Sequence, residues 1–194
     1  DLLAEDRVRG GVVEVGEQVP EVLPHLGRRR GELGAHPTGL DTGLDRKGLD
    51  ATTEQYGEMF RDSKYRLWHA NAGARRNLNR GIQAPMSGHP DFNIHANDID
   101  FQIESDFIGL MSPGLPQASN HYADRVMNYG DGLYGGMLFG AMYAAAYFET
   151  DPHRVVEEGL KAIPAESGYA RLVRDVLAWH AQNPTDWRKT WNLV

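Results

Sequence analysis

The sequence contains no cysteine among its 194 residues. This absence excludes a disulfide framework, a thiolate zinc site and a cysteine nucleophile, so any metal must bind to oxygen or imidazole ligands. Basic residues are also outnumbered by acidic ones, and the formal net charge is -7. Proteins that bind the phosphate backbone of nucleic acids need a net basic face, so this charge balance argues against nucleic acid as a partner.

Aromatic residues are absent from the first 50 positions, as are Ile, Met, Ser and Asn, whereas nine of the 22 glycines lie there. A segment of this composition has little large apolar surface to offset the entropy of ordering. We therefore expect residues 1–50 to form an atypical, loosely structured segment, separate from a domain over residues 51–194. Two interpretations fit equally well: a flexible acidic linker, or a GC-rich reading frame translated out of register.

No apolar run in the chain is long enough to cross a bilayer comfortably. The longest runs from Leu133 to Phe148, whereas a membrane-spanning helix needs about 20 residues. No basic, apolar and small-residue succession opens the chain, so no secretory signal is visible. We therefore expect a cytoplasmic protein with no membrane partner, in which the apolar run is a helix buried on all sides.

Residues 51–194 have the spacing of apolar positions that is typical of helices. This spacing predicts a helix from Glu54 to near Trp68, a long irregular connection over residues 71–97 and a single helix from Asp98 to Met111. No segment has the alternation of a strand. The predicted fold class is therefore all-α, in the form of a compact domain of several helices.

Capping residues mark the helices of the C-terminal part. Asp151, followed by Pro152, and Ser167 are each placed to begin a helix, and Asn183 ends the second of these. Trp187 then opens a last short helix.

Acidic, amide and imidazole side chains crowd the segment from His89 to Asp106. Asp100 and Glu104 are four residues apart and share a helix face, which repels unless a cation, a proton or a basic partner compensates. Clustered carboxylates suit Mg²⁺ or Ca²⁺, and they can also position a sugar hydroxyl. The alternative is an acidic first turn favoured by the helix dipole, which explains Asp98 and Asp100 better than it explains Glu104.

The turn before the apolar helix carries the pattern GxGxxG over residues 130–135. A dinucleotide-binding fold needs a strand before this pattern, and no convincing strand precedes it here. A flexible turn at a helix N-terminus can instead hold a phosphate or carboxylate on its backbone N–H groups. The simpler interpretation is a capped turn with Asp131 as the N-cap.

The eight histidines do not have the HExxH spacing that places two imidazoles on one helix face. The sequence therefore does not predict a zinc site, and the metal ligands stay unknown at this stage.

Two runs resemble a known family. Residues 96–116, ANDIDFQIESDFIGLMSPGLP, and residues 127–137, MNYGDGLYGGM, closely resemble a bacterial branch of the ADP-ribosylglycohydrolases. The resemblance covers about residues 54–194. It implies a compact all-α fold and hydrolysis of the glycosidic bond between ADP-ribose and an acceptor, assisted by Mg²⁺, with ADP-ribose or an ADP-ribosylated molecule as the partner. The family's principal Mg²⁺ ligands come from Asp-Asp-Thr and Asp-x-Asp motifs that this chain does not show, so the resemblance implies a partial family domain.

The matching positions carry the site residues that the resemblance implies. Four acidic residues are the catalytic candidates: Asp98, Asp100, Glu104 and Asp106. The candidates for substrate binding are Asn97, Asn128, Tyr129, Gly130 and Asp131. The alternative function is a non-catalytic module that binds ADP-ribose or a related nucleotide. Neither the acceptor nor the oligomeric state can be deduced from the sequence.

Overall fold

The structure is a computed structural model that describes residues 51–64, 66–117 and 126–194. Residues 1–50, for which we predicted a loose segment, lie outside the described part. The described residues form helices and no strand, which confirms the all-α fold class. The helices are α1 (Thr53–Asp62), α2 (His69–Asn79), α3 (Asp100–Glu104), α4 (Asp106–Met111), α5 (Gly130–Ala145), α6 (Pro152–Leu160), α7 (Gly168–Gln182) and α8 (Trp187–Trp191), with a short 3-10 helix over Met86–Gly88.

The first helix is shorter than the sequence predicted. It begins with a capping box between Thr52 and Gln55 but ends at Asp62 rather than near Trp68. Ser63 takes an extended conformation there, and its N–H and its hydroxyl both donate to the carbonyl of Phe60. The guanidinium of Arg75 donates to the same carbonyl. This contact from α2 satisfies a carbonyl in the last turn of α1. The spacing of apolar residues along the chain does not predict it.

The predicted irregular connection over residues 71–97 is wrong in its first part, because α2 occupies His69–Asn79. Ala70, Ala74 and Leu78 form one buried face of α2, which packs against Phe60 and Met127. The asparagines of this stretch favoured a loop. Two asparagines of α2, Asn71 and Asn77, are instead buried and bonded to other segments. The side-chain amide of Asn77 donates to the carbonyls of Ser87 and Phe92.

The single helix predicted from Asp98 to Met111 is two short helices, α3 and α4, that meet at Ser105. Ser105 is fully buried, and its hydroxyl donates to the carbonyl of Gln102. A serine hydroxyl that bonds back to a carbonyl three residues earlier competes with the helical pattern and often bends the chain. The break places Glu104 and Asp106 on different helices, whereas a single helix would have carried both residues.

The apolar run is a helix, α5, at the centre of the described fold. It packs against α3, α4, α6 and α7. Small residues allow these close approaches: a Cβ on Gly136 would overlap the ring of Phe101, and a Cβ on Gly109 of α4 would overlap the backbone of Gly140. The helix begins and ends three residues earlier than predicted, and its burial is incomplete because Asp131 and Tyr143 are exposed.

The predicted caps of the C-terminal helices are confirmed. Asp151 accepts a hydrogen bond from the N–H of His153, and Pro152 is the first residue of α6. Ser167 caps α7, which ends before Asn183. Among the described residues, no helix is both long enough and apolar enough to span a membrane.

Candidate functional site

Three separated residues bring their ligand atoms together at the surface of the helical domain. These are His69 at the start of α2, Asp98 just before α3 and Asp100 at its first position, and one ligand atom of each lies within 4.8 Å of the others. Among the residues that the structure describes, this is the group with the composition and spacing of a metal site.

Asp100 is the deepest member of this group, with 4% of its surface exposed. One of its oxygens accepts a hydrogen bond of 3.2 Å from the backbone N–H of Asn71, in the first turn of α2. The unsatisfied N–H groups and the dipole of a helix N-terminus both favour a carboxylate at that place. Asp100 therefore ties α3 to the start of α2.

Glu104 lies close to the same helix start. Its Oε1 is 3.5 Å from the side-chain nitrogen of Asn71. The side-chain oxygen of Asn71 accepts a hydrogen bond from the N–H of Trp68. Glu104 is half-buried, and its Oε2 is shielded from solvent. Asn71 therefore contacts two of the four predicted catalytic carboxylates.

Asp98 is held by two imidazoles. The Nδ1 atom of His95 lies 2.8 Å from Asp98 Oδ2, which is a hydrogen bond that the imidazole donates because an ionised carboxylate only accepts. The Nδ1 atom of His69 is 3.6 Å from the same oxygen. The two imidazole rings stack with centroids 5.3 Å apart. His69 has a φ of 29°, in the left-handed region that is costly for residues other than glycine, so the surrounding structure holds it there.

Asn128 connects the acidic segment to the turn before α5. It is fully buried, and its side-chain oxygen accepts a hydrogen bond of 3.0 Å from the N–H of Phe101. Its amide nitrogen donates to the carbonyls of Ala96 and Asp98 at 2.9 and 2.8 Å. These three hydrogen bonds all go to the backbone, so Asn128 positions the acidic segment.

Three of the other residues predicted to bind substrate, Asn97, Tyr129 and Gly130, lie where the turn meets the acidic segment. Gly130 has a φ of 56°, and a Cβ at that position would overlap the side chain of Asn97, which is exposed. Tyr129 is the N-cap of α5 and donates its N–H to the carbonyl of Ala96, while its ring meets the ring of His89 edge-on. This turn therefore lies directly against the acidic segment.

Two predicted site residues have other positions. Asp131 is not the N-cap that the simpler interpretation of the turn proposed; it lies in the first turn of α5, and its Oδ1 accepts a hydrogen bond from the N–H of Tyr169 in α7. Asp106 begins α4, is exposed, and accepts from the N–H of Phe107. The break at Ser105 separates Asp106 from the group formed by Asp98 and Asp100.

A cavity of about 240 Å³ opens beside the two stacked imidazoles. The lining residues are His69, Ala72, Gly73, Arg76, Phe92, Asn93, Ile94 and His95. Arg76 is exposed, and no carboxylate among the described residues forms an ion pair with it. An unpaired guanidinium beside an aromatic ring and two imidazoles suits an anionic ligand with a planar or ring-shaped part.

Sequence reasoning missed His69, Asn71 and Arg76 as parts of this region. Their link to Asp98 and Asp100 depends on α2, which the sequence predicted to be irregular. His95 belonged to the crowded polar segment that the sequence singled out, three residues before Asp98, but it was not among the predicted site residues.

No protein-family model, curated protein or solved structure matches this chain. The family resemblance of residues 96–116 and 127–137 therefore supports a proposal about function and does not assign one.

The Mg²⁺ that the resemblance implies can be compared with the donor atoms in this region. Mg²⁺ prefers oxygen ligands in a near-ideal octahedral arrangement. The group contains two carboxylates, but its third donor is the imidazole of His69, and a second imidazole, that of His95, contacts Asp98. This donor set does not match Mg²⁺.

Proposed function

We propose that this chain is a hydrolase that cleaves the glycosidic bond between ADP-ribose and an acceptor. The observation that carries the proposal is the joining of the two runs that resemble the family: Asn128 of the second run bonds to Phe101 and to the carbonyl of Asp98 in the first. The acidic segment and the turn are thus parts of one structure. We place this activity in the cytoplasm, in keeping with the acidic charge balance and the absence of cysteine.

Hydrolysis of a glycosidic bond needs a group that takes a proton from water and a negative environment for the oxocarbenium-like centre. In this proposal Asp98 takes the proton as the water oxygen bonds to the anomeric carbon. His95, which donates to Asp98 at 2.8 Å, orients that carboxylate. The bond to the acceptor breaks, and the acceptor atom leaves with a proton from solvent.

The remaining groups would bind and orient the substrate. Asp100 and Glu104 add negative charge close to Asp98, which favours the positive charge that develops on the ribose. The cavity beside His95 contains Arg76, whose guanidinium suits the diphosphate of ADP-ribose. The volume of about 240 Å³ accommodates part of such a ligand, and the rest would extend over the surface.

The test is a turnover assay on ADP-ribosylated peptides with arginine and serine acceptors, with and without Mg²⁺, in which free ADP-ribose is measured by chromatography. We expect Asp98→Asn to lower the rate about 100-fold or more, the usual effect of removing a general base. Asp91→Asn is the matched control, because Asp91 is exposed and also lies near an imidazole, that of His89 at 3.4 Å.

Two results would contradict the proposal. Release of ADP-ribose at the same rate by the chain and by Asp98→Asn would remove Asp98 from the reaction. Binding of ADP-ribose without release from any acceptor would instead support the alternative of a non-catalytic binding module.

A further inference from the structure

We propose that His69, Asp98 and Asp100 bind a first-row transition-metal dication, such as Zn²⁺, Co²⁺ or Mn²⁺, in preference to Mg²⁺. The residues come from the start of α2 and from the segment that enters α3, and the fold brings their ligand atoms within 4.8 Å of one another. This site is separate from the family's Asp-Asp-Thr and Asp-x-Asp motifs, which the chain does not show.

The spacing of two of the donors, on His69 and Asp98, fits an ion between them. The oxygen of Asp100, within 4.8 Å, would reach the same ion after a small shift or through a water molecule. Two donors that bind one ion at about 2.1 Å and about 110° apart lie about 3.4 Å from each other. His69 Nδ1 and Asp98 Oδ2 are 3.6 Å apart, which is close to that value and longer than the distance of about 2.7 to 3.2 Å in a direct hydrogen bond.

The burial of Asp100 is the second, independent observation. With 4% of its surface exposed, this carboxylate has one hydrogen bond within the described part of the chain, from the N–H of Asn71 to one oxygen. Buried charges are normally paired, fully hydrogen-bonded or bound to metal, because an uncompensated carboxylate is costly to desolvate. Asp100 has no ion pair among the described residues, whereas its position beside Asp98 places two negative charges together. The N-terminus of α2 compensates Asp100 in part, and a dication would compensate both carboxylates. The hydrolysis proposed above, in which both act as free carboxylates, is that of the metal-free chain.

The kind of donor selects the metal. Imidazole nitrogen suits Zn²⁺, Fe²⁺ and neighbouring ions, whereas Mg²⁺ and Ca²⁺ take oxygen ligands. His95 supports the site as a positioning residue, since it donates a hydrogen bond to Asp98 as the partners of metal-binding carboxylates commonly do. His69 and Asp98 are exposed and half-buried respectively, so an ion can enter from solvent and keep water in its open positions.

The direct test is a titration of the metal-free full chain with Co²⁺, followed by its visible absorption, with isothermal titration calorimetry for Zn²⁺, Mn²⁺ and Mg²⁺. We expect one equivalent to bind, with affinity in the order Zn²⁺, Co²⁺, Mn²⁺ and Mg²⁺. A 100-fold excess of Mg²⁺ should leave the Co²⁺ spectrum unchanged. No substrate is present, so the result does not depend on the proposed hydrolase activity.

Variants locate the site. Asp100→Asn keeps an acceptor oxygen for the N–H of Asn71 and should lower Co²⁺ affinity about 100-fold or more, since loss of supporting partners alone costs 10- to 100-fold. His69→Gln should have a similar effect, and because His69 is exposed this variant tests the site even where Asp100→Asn fails to fold. His89→Gln is the matched control, because His89 pairs with a single carboxylate, Asp91, and should bind metal as the unaltered chain does.

Two outcomes would overturn the inference. The first is Mg²⁺ affinity equal to or above that for Co²⁺. The second is unchanged Co²⁺ affinity in His69→Gln, which would place the bound ion on other histidines.

Discussion

Replacing Asn128 with Leu tests the role of this residue in holding the acidic segment in place. Asn128 has no exposed surface, and its side chain makes three hydrogen bonds to backbone groups. Leucine branches at the same carbon but is larger, and it offers neither a donor nor an acceptor. The substitution therefore removes all three bonds and leaves the general shape of the side chain in place.

The cost can be worked out group by group. The N–H of Phe101 lies in the first turn of α3 and loses its partner in a buried position. The carbonyl of Asp98 also loses its bond from Asn128, whereas the carbonyl of Ala96 keeps a second bond from the N–H of Tyr129. A buried polar group left without a partner costs about 1 to 3 kcal/mol. We therefore expect Asn128→Leu to lower the free energy of unfolding by about 3 kcal/mol, a large part of the 5 to 15 kcal/mol that is typical of a domain.

Urea denaturation followed by tryptophan fluorescence measures this difference. Asn79→Leu is the matched control, since Asn79 is exposed at the end of α2 and should change stability by no more than about 0.5 kcal/mol. A loss below about 1 kcal/mol in Asn128→Leu would refute the reasoning, because water or a rearranged backbone would then be satisfying these groups.

Two other predictions concern α5 and its neighbours. Gly109→Ala should destabilise the fold by about 1 to 3 kcal/mol in urea denaturation, because the new Cβ would overlap the backbone of Gly140; an unchanged or higher stability would contradict this close approach. Burial, assisted by the charge of Asp131, raises the pKa of Tyr169. The neutral phenol then stabilises the fold below about pH 10, and this contribution is lost as pH rises through the folded-state pKa. When tyrosinate absorbance is followed against pH, one tyrosine should ionise at a higher pH than the others, and this step should be missing in Tyr169→Phe. An identical titration curve in that variant would contradict the prediction.

The sequence predicted the parts of the fold whose signals are local. Asp151 and Ser167 cap their helices because a short polar side chain at that point bonds to the next turn, and these contacts lie within three residues. The apolar run of α5 was also recognisable, since such a stretch must be buried whatever surrounds it. These signals do not depend on any other part of the chain.

The errors arose where distant residues decide the local structure. α1 ends at Asp62 because Ser63 and Arg75 both bond to the carbonyl of Phe60, and Arg75 lies on the next helix. Asparagines made α2 resemble a loop, although Asn71 and Asn77 are buried and bonded to other segments, Asn71 through its backbone N–H to Asp100 and Asn77 through its side chain to Ser87. Propensity is a weak indicator, and tertiary contacts override it in such places.

The sequence predicted only part of the candidate site, because the rest also depends on contacts between distant residues. The carboxylates of Asp98, Asp100 and Glu104 stood out as a dense acidic segment, and the structure brings Asp98 and Asp100 together. The imidazole of His69 joins them through the position of α2, about 30 residues earlier in the chain, and no fixed spacing announces that contact.

The central claim is that the described domain recognises ADP-ribose, and thermal unfolding of the full chain with and without this ligand tests it most directly. A ligand that binds only the native state raises stability by about 2.7 kcal/mol at 100 times its dissociation constant. We predict a higher unfolding midpoint with ADP-ribose and a smaller rise with AMP, which lacks the second phosphate and the second ribose. A midpoint that ADP-ribose leaves unchanged at millimolar concentration would contradict the account.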